Sequence, residues 1–144
     1  MATILAHIKI KPGSEARFES VVRKLYAQSH AGEQALRRYE YWRGQEPGTY
    51  YCLLAFDDFL GFMAHQASPH HETAAPLLID ALADMKLEWV DPIQDASPLP
   101  ASVPQQVPDT ASDLVKRYAE MFPVAEAAWW SALRSASSGT GSLS

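Results

Sequence analysis

The chain has 144 residues, 47% of them hydrophobic, and its 12 basic and 17 acidic side chains give a formal charge of -5. This length suits one core with an appendage, and the acidic excess without a basic stripe disfavours nucleic acid as a partner. No apolar run approaches the roughly 20 residues of a membrane span. The lone Cys52 suits a reducing, cytoplasmic setting, and the alternating opening "MATILAHIKI" is not typical of a signal peptide.

The first part of the chain predicts a strand, a helix and a hairpin. Residues 4 to 10 alternate between apolar and polar, which indicates a strand with one buried face. Apolar residues at helical spacing then run from Ser14, a candidate N-cap, to about residue 32 and predict an amphipathic helix. Two runs of aromatic and branched residues separated by "QEPG" predict a hairpin; they are "ALRRYEYWRG" and "YYCLLAF".

The segment from 57 to 93 predicts two helices and a fourth strand. An aspartate at 57 or 58 can cap a short helix that ends at Ser68 and Pro69, where Ser68 can cap the next helix and Pro69 can occupy its first position. We expect that second helix to reach about residue 84, with a kink or restart at Pro76, before the strand "MKLEWVDPI". The order βαββαβ predicts the α+β class, with a ferredoxin-like antiparallel sheet and helices on one face.

The composition changes after this strand, so residues 1–94 form the predicted domain. Four prolines between residues 95 and 108 predict a semi-rigid connector. Helical spacing returns over residues 109–135 as a C-terminal helical extension, with Pro123 as the expected start of its last helix. The polar residues 136–144, "ASSGTGSLS", predict a disordered tail.

Three of the five histidines lie close together in "FMAHQASPHHE". An imidazole titrates near neutral pH, so in a dry cleft it can take a proton from a phenol or an enolisable carbon. We therefore interpret His65 and His70 as candidate catalytic residues and His71 as a solvated neighbour. In the purely structural alternative, both candidate rings bond backbone groups that are freed at the corner between the two helices.

A metal site in this segment is disfavoured. Ligands at 65, 70 and 71 do not share one helical face, and the nearby carboxylates of Asp58 and Glu72 have no recognised zinc spacing. We therefore predict that the three histidines hold no metal ion.

Aromatic side chains of the hairpin and the short helix are candidates for binding a planar substrate. Trp42 and Phe56 are the predicted stacking residues, with Phe62 beside them. Gly61 lies one turn before His65, and its missing side chain would leave room for a flat ligand next to the imidazole.

Several segments together resemble the antibiotic biosynthesis monooxygenase family: "KPG", "YEYWRGQEPGTYY", "FDD" and "AHQASPHHE". The most specific element is Ala64 and His65 followed by Pro69 and His70, placed after the strand aromatic Phe56. The resemblance implies a dimeric α+β barrel, a homodimer whose sheets face one another, with a cleft between sheet and helices in each subunit.

Two departures from the family pattern narrow the chemistry. Many relatives carry a glutamate two residues before the strand aromatic, where this chain has Leu54. The haem-degrading branch has an asparagine, a tryptophan and a histidine where this chain has Ala6, His65 and Ala75. Haem cleavage is therefore disfavoured.

From these observations we expect a cofactor-independent monooxygenase that acts on a small aromatic substrate, a quinol or polycyclic phenol, with dioxygen. A phenol deprotonated by histidine is electron-rich enough to reduce dioxygen without a cofactor. Two alternatives stay open, an isomerase or cyclase that uses the same base without oxygen, and a non-catalytic dimeric binding module. Oxygen uptake and proton exchange of a bound ligand distinguish the three.

Overall fold

The computed structural model describes residues 1–123 and 126–138. The strands in this part of the chain are β1 (Ala2–Ile10), β2 (Leu36–Arg43), β3 (Thr49–Phe56) and β4 (Leu82–Trp89). The helices are α1 (Glu15–Gly32), α2 (Phe59–Gln66), α3 (Pro69–Ala81), α4 (Asp113–Met121) and α5 (Ala128–Ser138). No helix within these ranges is both long and apolar enough to cross a bilayer.

The four strands form one antiparallel sheet in the order β2-β3-β1-β4. The hairpin places β2 beside β3, and β1 lies between β3 and β4. Helices pack on one face of this sheet, which confirms the predicted α+β, ferredoxin-like architecture. The helices thus cover one sheet face and leave the other open.

Alternation along β1 separates the two faces of the sheet. Ile4, Ala6 and Ile8 are buried beneath the helices, because side chains two apart share a face. Leu5 and His7 point to the opposite, open face, where Nε2 of His7 lies 2.9 Å from Glu88.

The corner between α2 and α3 is held by side-chain caps. The carboxylate of Asp58 accepts the backbone N–H of Gly61 at 2.7 Å and begins α2. The hydroxyl of Ser68 accepts the N–H of His71 at 3.3 Å and donates to the carbonyl of His65 at 2.7 Å, so it serves both helices. Pro69 begins α3, as predicted.

The predicted end of the second helix is wrong. Helix α3 continues through Pro76, so it does not restart there, and it ends at Ala81, before the expected residue 84. The cause is tertiary pairing, because Leu82 already pairs with Ile10 as the first residue of β4.

The C-terminal extension also departs from expectation. Helix α5 begins at Ala128 instead of Pro123 and continues through Ser138, into the segment expected to be disordered. Residues 124–125 and 139–144 lie outside the described residues. Arg134 of α5 bonds the carboxylate of Asp91 and, at 2.8 Å, the carbonyl of Ser102, so α5 packs against the connector.

Candidate active site

A cavity of about 320 Å³ lies between the helix-covered face of the sheet and helices α2, α3 and α4. Its volume is at the lower end of the roughly 300–1,000 Å³ typical of ligand sites. Most of its wall is aliphatic or aromatic, formed by Ala6, Ile8, Leu54, Phe62, Ala75, Leu78, Ile79, Leu82, Met85, Leu87, Met121 and Phe122. The remaining wall residues are Tyr39, Tyr41, Cys52, His65, Gln66, His71 and Tyr118. Among the described residues, no lysine, arginine, aspartate or glutamate lines this cavity.

One carboxylate, that of Glu33, connects two of the histidines. Nδ1 of His65 lies 2.9 Å from each oxygen of Glu33, and Nε2 of His70 lies 2.6 Å from one of them. Glu33 directly follows α1, while the two histidines come from α2 and from the first turn of α3. The packing of three helices therefore creates a cluster whose members are 32 and 37 residues apart in the chain.

The position of Glu33 is electrostatically unusual, because a helix C-terminus carries partial negative charge and disfavours a carboxylate. Burial acts to raise the pKa of the Glu33 carboxyl, but the hydrogen bonds from His65 and His70 prevail and hold that pKa below its ordinary value. Glu33 is therefore ionised at neutral pH and acts only as an acceptor. Each histidine must donate an N–H to it.

This hydrogen bond determines which nitrogen of His65 can act as a base. With the proton on Nδ1, where Glu33 accepts it, the lone pair of the neutral ring is on Nε2. The side chain of His65 is only 1% exposed, and its ring lines the cavity. A buried imidazole oriented by a carboxylate is the arrangement of a general base.

His70 has a different place from the one expected. Its ring borders an outer groove between α1 and α3 instead of the cavity, and its contact with the cluster is through Glu33. His70 is thus a positioning residue for Glu33. The purely structural alternative is also wrong in detail, because Ser68 and not a histidine ring satisfies the carbonyl at the corner.

His71 is not the solvated neighbour that the sequence suggested. Its ring lines the cavity, edge-on to His65 with ring centroids 5.1 Å apart, and its Nδ1 is buried without a hydrogen-bond partner among the described residues. Burial and the neighbouring His65 lower the pKa of His71 to about 4. A second, neutral imidazole therefore lines the cavity.

Two tyrosines line the part of the cavity formed by the sheet. The hydroxyls of Tyr39 and Tyr41 are 2.8 Å apart and bond one another. Burial raises the pKa of both phenols well above the ordinary value, so both stay neutral. The ring of Tyr39 meets that of His65 edge-on, with centroids 4.9 Å apart.

The predicted substrate-binding residues are only partly brought together. Phe62 lines the cavity, and Phe56 is fully buried against His65, with ring centroids 5.3 Å apart. Trp42 lies on the opposite, open face of the sheet and is 61% exposed, so its assignment to the cleft is wrong. The alternation in "RRYEYW" already indicates this placement. Trp42 shares a face with Glu40, while the inward face carries Tyr39 and Tyr41.

The space beside Gly61 is filled by protein, contrary to the expected gap for a ligand. A methyl group at this position would lie 2.7 Å from Cβ of Ala35 and 3.2 Å from the capping oxygen of Asp58. Gly61 thus allows α2 to pack closely against Ala35, just before β2. This close packing positions His65, one turn later in α2, at the cavity.

Gly61→Ala is expected to destabilise the fold by about 1–3 kcal/mol, the usual cost of overpacking a close contact. Gly32→Ala is the matched control, since a methyl group there meets nothing within 4 Å and alanine favours a helix. Thermal unfolding of both variants measures the difference. Equal stability of the two would contradict the close approach at Gly61.

The donor atoms of Glu33, His65 and His70 all lie within 4.8 Å of one another, so this set could hold a divalent cation. The hydrogen bonds within the set account for its arrangement without one. The carboxylates considered from the sequence have other partners, because Asp58 caps α2 and Glu72 accepts from Tyr118 at 2.5 Å.

Glu33 is the functional residue that sequence reasoning missed. Its signal was an acidic residue at the C-terminal end of an otherwise regular helix, where the helix dipole disfavours negative charge. Such a residue needs a cationic or N–H partner. The histidine-rich corner supplies it, because His65 and His70 both bond Glu33.

Fold and cavity together define a ferredoxin-like α+β protein with a histidine-lined cavity between sheet and helices. Residues 1–77 match the family described as "Antibiotic biosynthesis monooxygenase", which confirms the resemblance. The chain belongs to the antibiotic biosynthesis monooxygenase family.

Solved structures share this fold at low sequence identity. A Caulobacter crescentus CB15 protein, named provisionally as an antibiotic biosynthesis monooxygenase, is 23% identical over 65% of this chain and 90% of its own, with a TM-score of 0.61. A second antibiotic biosynthesis monooxygenase is 21% identical over 65% and 99%, with a TM-score of 0.60. PA3566 from Pseudomonas aeruginosa is 20% identical over 64% and 93%, with a TM-score of 0.59. None of the curated proteins compared with the chain matches it significantly.

Proposed function

We propose that this protein is a cofactor-independent monooxygenase that oxidises a quinol or polycyclic phenol, with His65 as the general base. The observation that carries the proposal is the buried imidazole in the cavity wall, whose Nδ1 is bonded to Glu33 at 2.9 Å. Family membership supports the reaction class. The aliphatic and aromatic lining supports the kind of substrate.

The proposed reaction takes all its electrons from the substrate. Nε2 of His65 removes a proton, and the resulting carbanion or phenolate gives an electron to dioxygen and then forms a carbon–oxygen bond with it. Protonated His65 returns the proton to the peroxo group, and loss of water leaves a carbonyl. One oxygen atom ends in the product and the other in water. The substrate thus loses two hydrogens and gains one oxygen, and one dioxygen is reduced to one water and the new carbonyl oxygen.

The proposal is tested by oxygen uptake with an anthrone or naphthoquinol, using labelled dioxygen to follow one oxygen atom into the product. Incorporation of label supports the monooxygenase. Proton exchange at the substrate under anaerobic conditions, without oxygen uptake, would support the isomerase or cyclase instead. Binding with neither reaction would leave the non-catalytic module.

Turnover is expected to be unchanged after dialysis against EDTA, because the proposed chemistry assigns no step to a metal ion. Added Zn²⁺ is expected to inhibit, since Glu33, His65 and His70 could hold it and a ligated imidazole has no free lone pair. Oxygen-electrode traces with and without EDTA and Zn²⁺ measure both effects. Loss of activity in EDTA that Zn²⁺ or Fe²⁺ restores would contradict the cofactor-free mechanism.

We further propose a homodimer formed by the open face of the sheet. Leu5 and Leu53 pair on this face, next to the partly exposed Tyr51 and the exposed Trp42, and uncovered apolar sheet faces favour self-association. Leu53→Glu places a charge at the centre of the face and is expected to shift the protein towards monomer in sedimentation. A wild-type monomer at micromolar concentration would contradict the dimer.

A further inference from the structure

The cavity has a roof that lies outside the part of the chain matched to the family. Tyr118, Met121 and Phe122, at the end of α4, line the cavity on the side away from the sheet; we call these three residues the roof. The family match ends at residue 77, and the solved relatives described above cover 64–65% of the chain. The roof therefore belongs to the C-terminal extension.

Specific contacts hold the roof over the cavity. The ring of Phe122 packs against Phe62 of α2 with centroids 6.3 Å apart. The Tyr118 ring meets His71 edge-on at 6.3 Å, and its hydroxyl donates to Glu72 at 2.5 Å. These contacts join α4 to both helices that carry the histidines.

The connector leading to the roof is also attached to the domain. Ser102 is buried, and its hydroxyl donates to the carbonyl of Val90 at 2.7 Å. The N–H of Val103 donates to the carbonyl of Met1 at 3.0 Å, and the side chain of Gln105 accepts the N–H of Leu60 at 3.0 Å. The extension thus reaches the cavity along a defined path instead of by a free linker.

We propose that the roof sets the size and charge of the substrate, so that Tyr118, Met121 and Phe122 are specificity-determining residues. The ligand class that fits is an uncharged, planar phenol or quinol of up to about three fused rings, because the cavity is near the small end of the usual range of roughly 300–1,000 Å³. A charged group inside the cavity is disfavoured, since the described wall offers no charged lysine, arginine, aspartate or glutamate partner. This inference rests on the proposed function for the identity of the reaction, and on the cavity alone for the size limit.

The test compares two quinones that differ by one ring and that are already oxidised, so that binding is measured without turnover. Anaerobic titration is expected to show that the wild type binds 1-hydroxyanthraquinone more tightly than 6-hydroxytetracene-5,12-dione by at least about 10-fold, the low end of what one buried group can discriminate. Phe122→Ala should open the cavity and reduce this preference. Lys116→Ala, on the exposed side of α4, is the matched control and should keep it.

A second variant covers the case in which Phe122→Ala does not fold. Phe122→Leu keeps an apolar side chain against Phe62 but removes the ring, so it should reduce the preference in the same direction by a smaller factor. An unchanged preference in whichever of the two Phe122 variants folds, or no binding of either quinone to the wild type, would overturn the inference. If the variants change the preference for the three-ring quinone but the protein takes up no oxygen, the role of the roof in specificity is supported and only the proposed function is refuted.

Discussion

His65→Ala is expected to lower turnover by roughly 10²- to 10⁴-fold, the range typical of a general base, while the protein remains folded. Glu33→Gln should fall in the same range, because a neutral amide no longer holds the proton on Nδ1 of His65. The two groups act in one proton-transfer step, so the double variant should be scarcely worse than the poorer single variant. Steady-state oxygen uptake per folded molecule measures all three.

The control for this series is His30→Gln, at an exposed histidine on α1 outside the cavity. Added imidazole is expected to restore part of the activity of His65→Ala, because the deletion leaves space beside the substrate. A purely structural role predicts a different pattern, a loss of about 1–3 kcal/mol in stability from an unsatisfied buried group. Full turnover per folded molecule in His65→Ala would refute the catalytic role.

His70→Ala separates a positioning residue from the base. Glu33 loses one of its two histidine donors, and since burial opposes ionisation, the pKa of the Glu33 carboxyl rises. Protonated Glu33 cannot accept from Nδ1 of His65, so the acid side of the pH–rate profile should move to higher pH. The loss at neutral pH should be smaller than in His65→Ala.

Local patterns were enough to predict most of the fold. Period-two alternation identified β1, because one of its faces is buried along its whole length. Aromatic and branched runs on either side of "QEPG" identified the hairpin. The caps at Asp58, Ser68 and Pro69 were readable because capping depends on residues that are adjacent in sequence. The end of α3 could not be predicted from the sequence. Leu82 would suit the apolar face of a helix or of a strand, and only its pairing with Ile10 makes it a strand residue.

The candidate site was harder to predict because its parts meet only through tertiary packing. His65 was correctly associated with the cavity, but its partner Glu33 comes from the end of α1, 32 residues away. His71 is partly buried beside Tyr118 of α4, and nothing local to "SPHHE" shows that the extension returns to cover it. Trp42 lies outside the cavity because it shares the open face of β2 with the polar Glu40.

Acidification is expected to destabilise the protein between about pH 6.5 and 4. The pKa of His71 falls from its ordinary 6.5 to about 4 in the fold, chiefly through burial and next through His65. In this window the unfolded chain binds a proton that the folded protein does not, so stability falls as pH falls and levels off once both forms are protonated. This difference in pKa between the unfolded and the folded protein corresponds to at most roughly 3 kcal/mol of stability.

Glu33 adds a second loss at lower pH. Its folded pKa lies below the ordinary 4.5, so its contribution is present above that value and disappears as pH falls through the folded pKa. Urea unfolding at pH 7, 6, 5, 4 and 3 measures both steps, and His71→Phe separates them. Phenylalanine keeps a ring against Tyr118 but binds no proton, so this variant should be nearly flat from pH 6.5 to about 4.5 and then lose stability with the wild type. An equally steep loss above pH 4.5 in His71→Phe would show that another group titrates there and that His71 is not protected from protons by the roof.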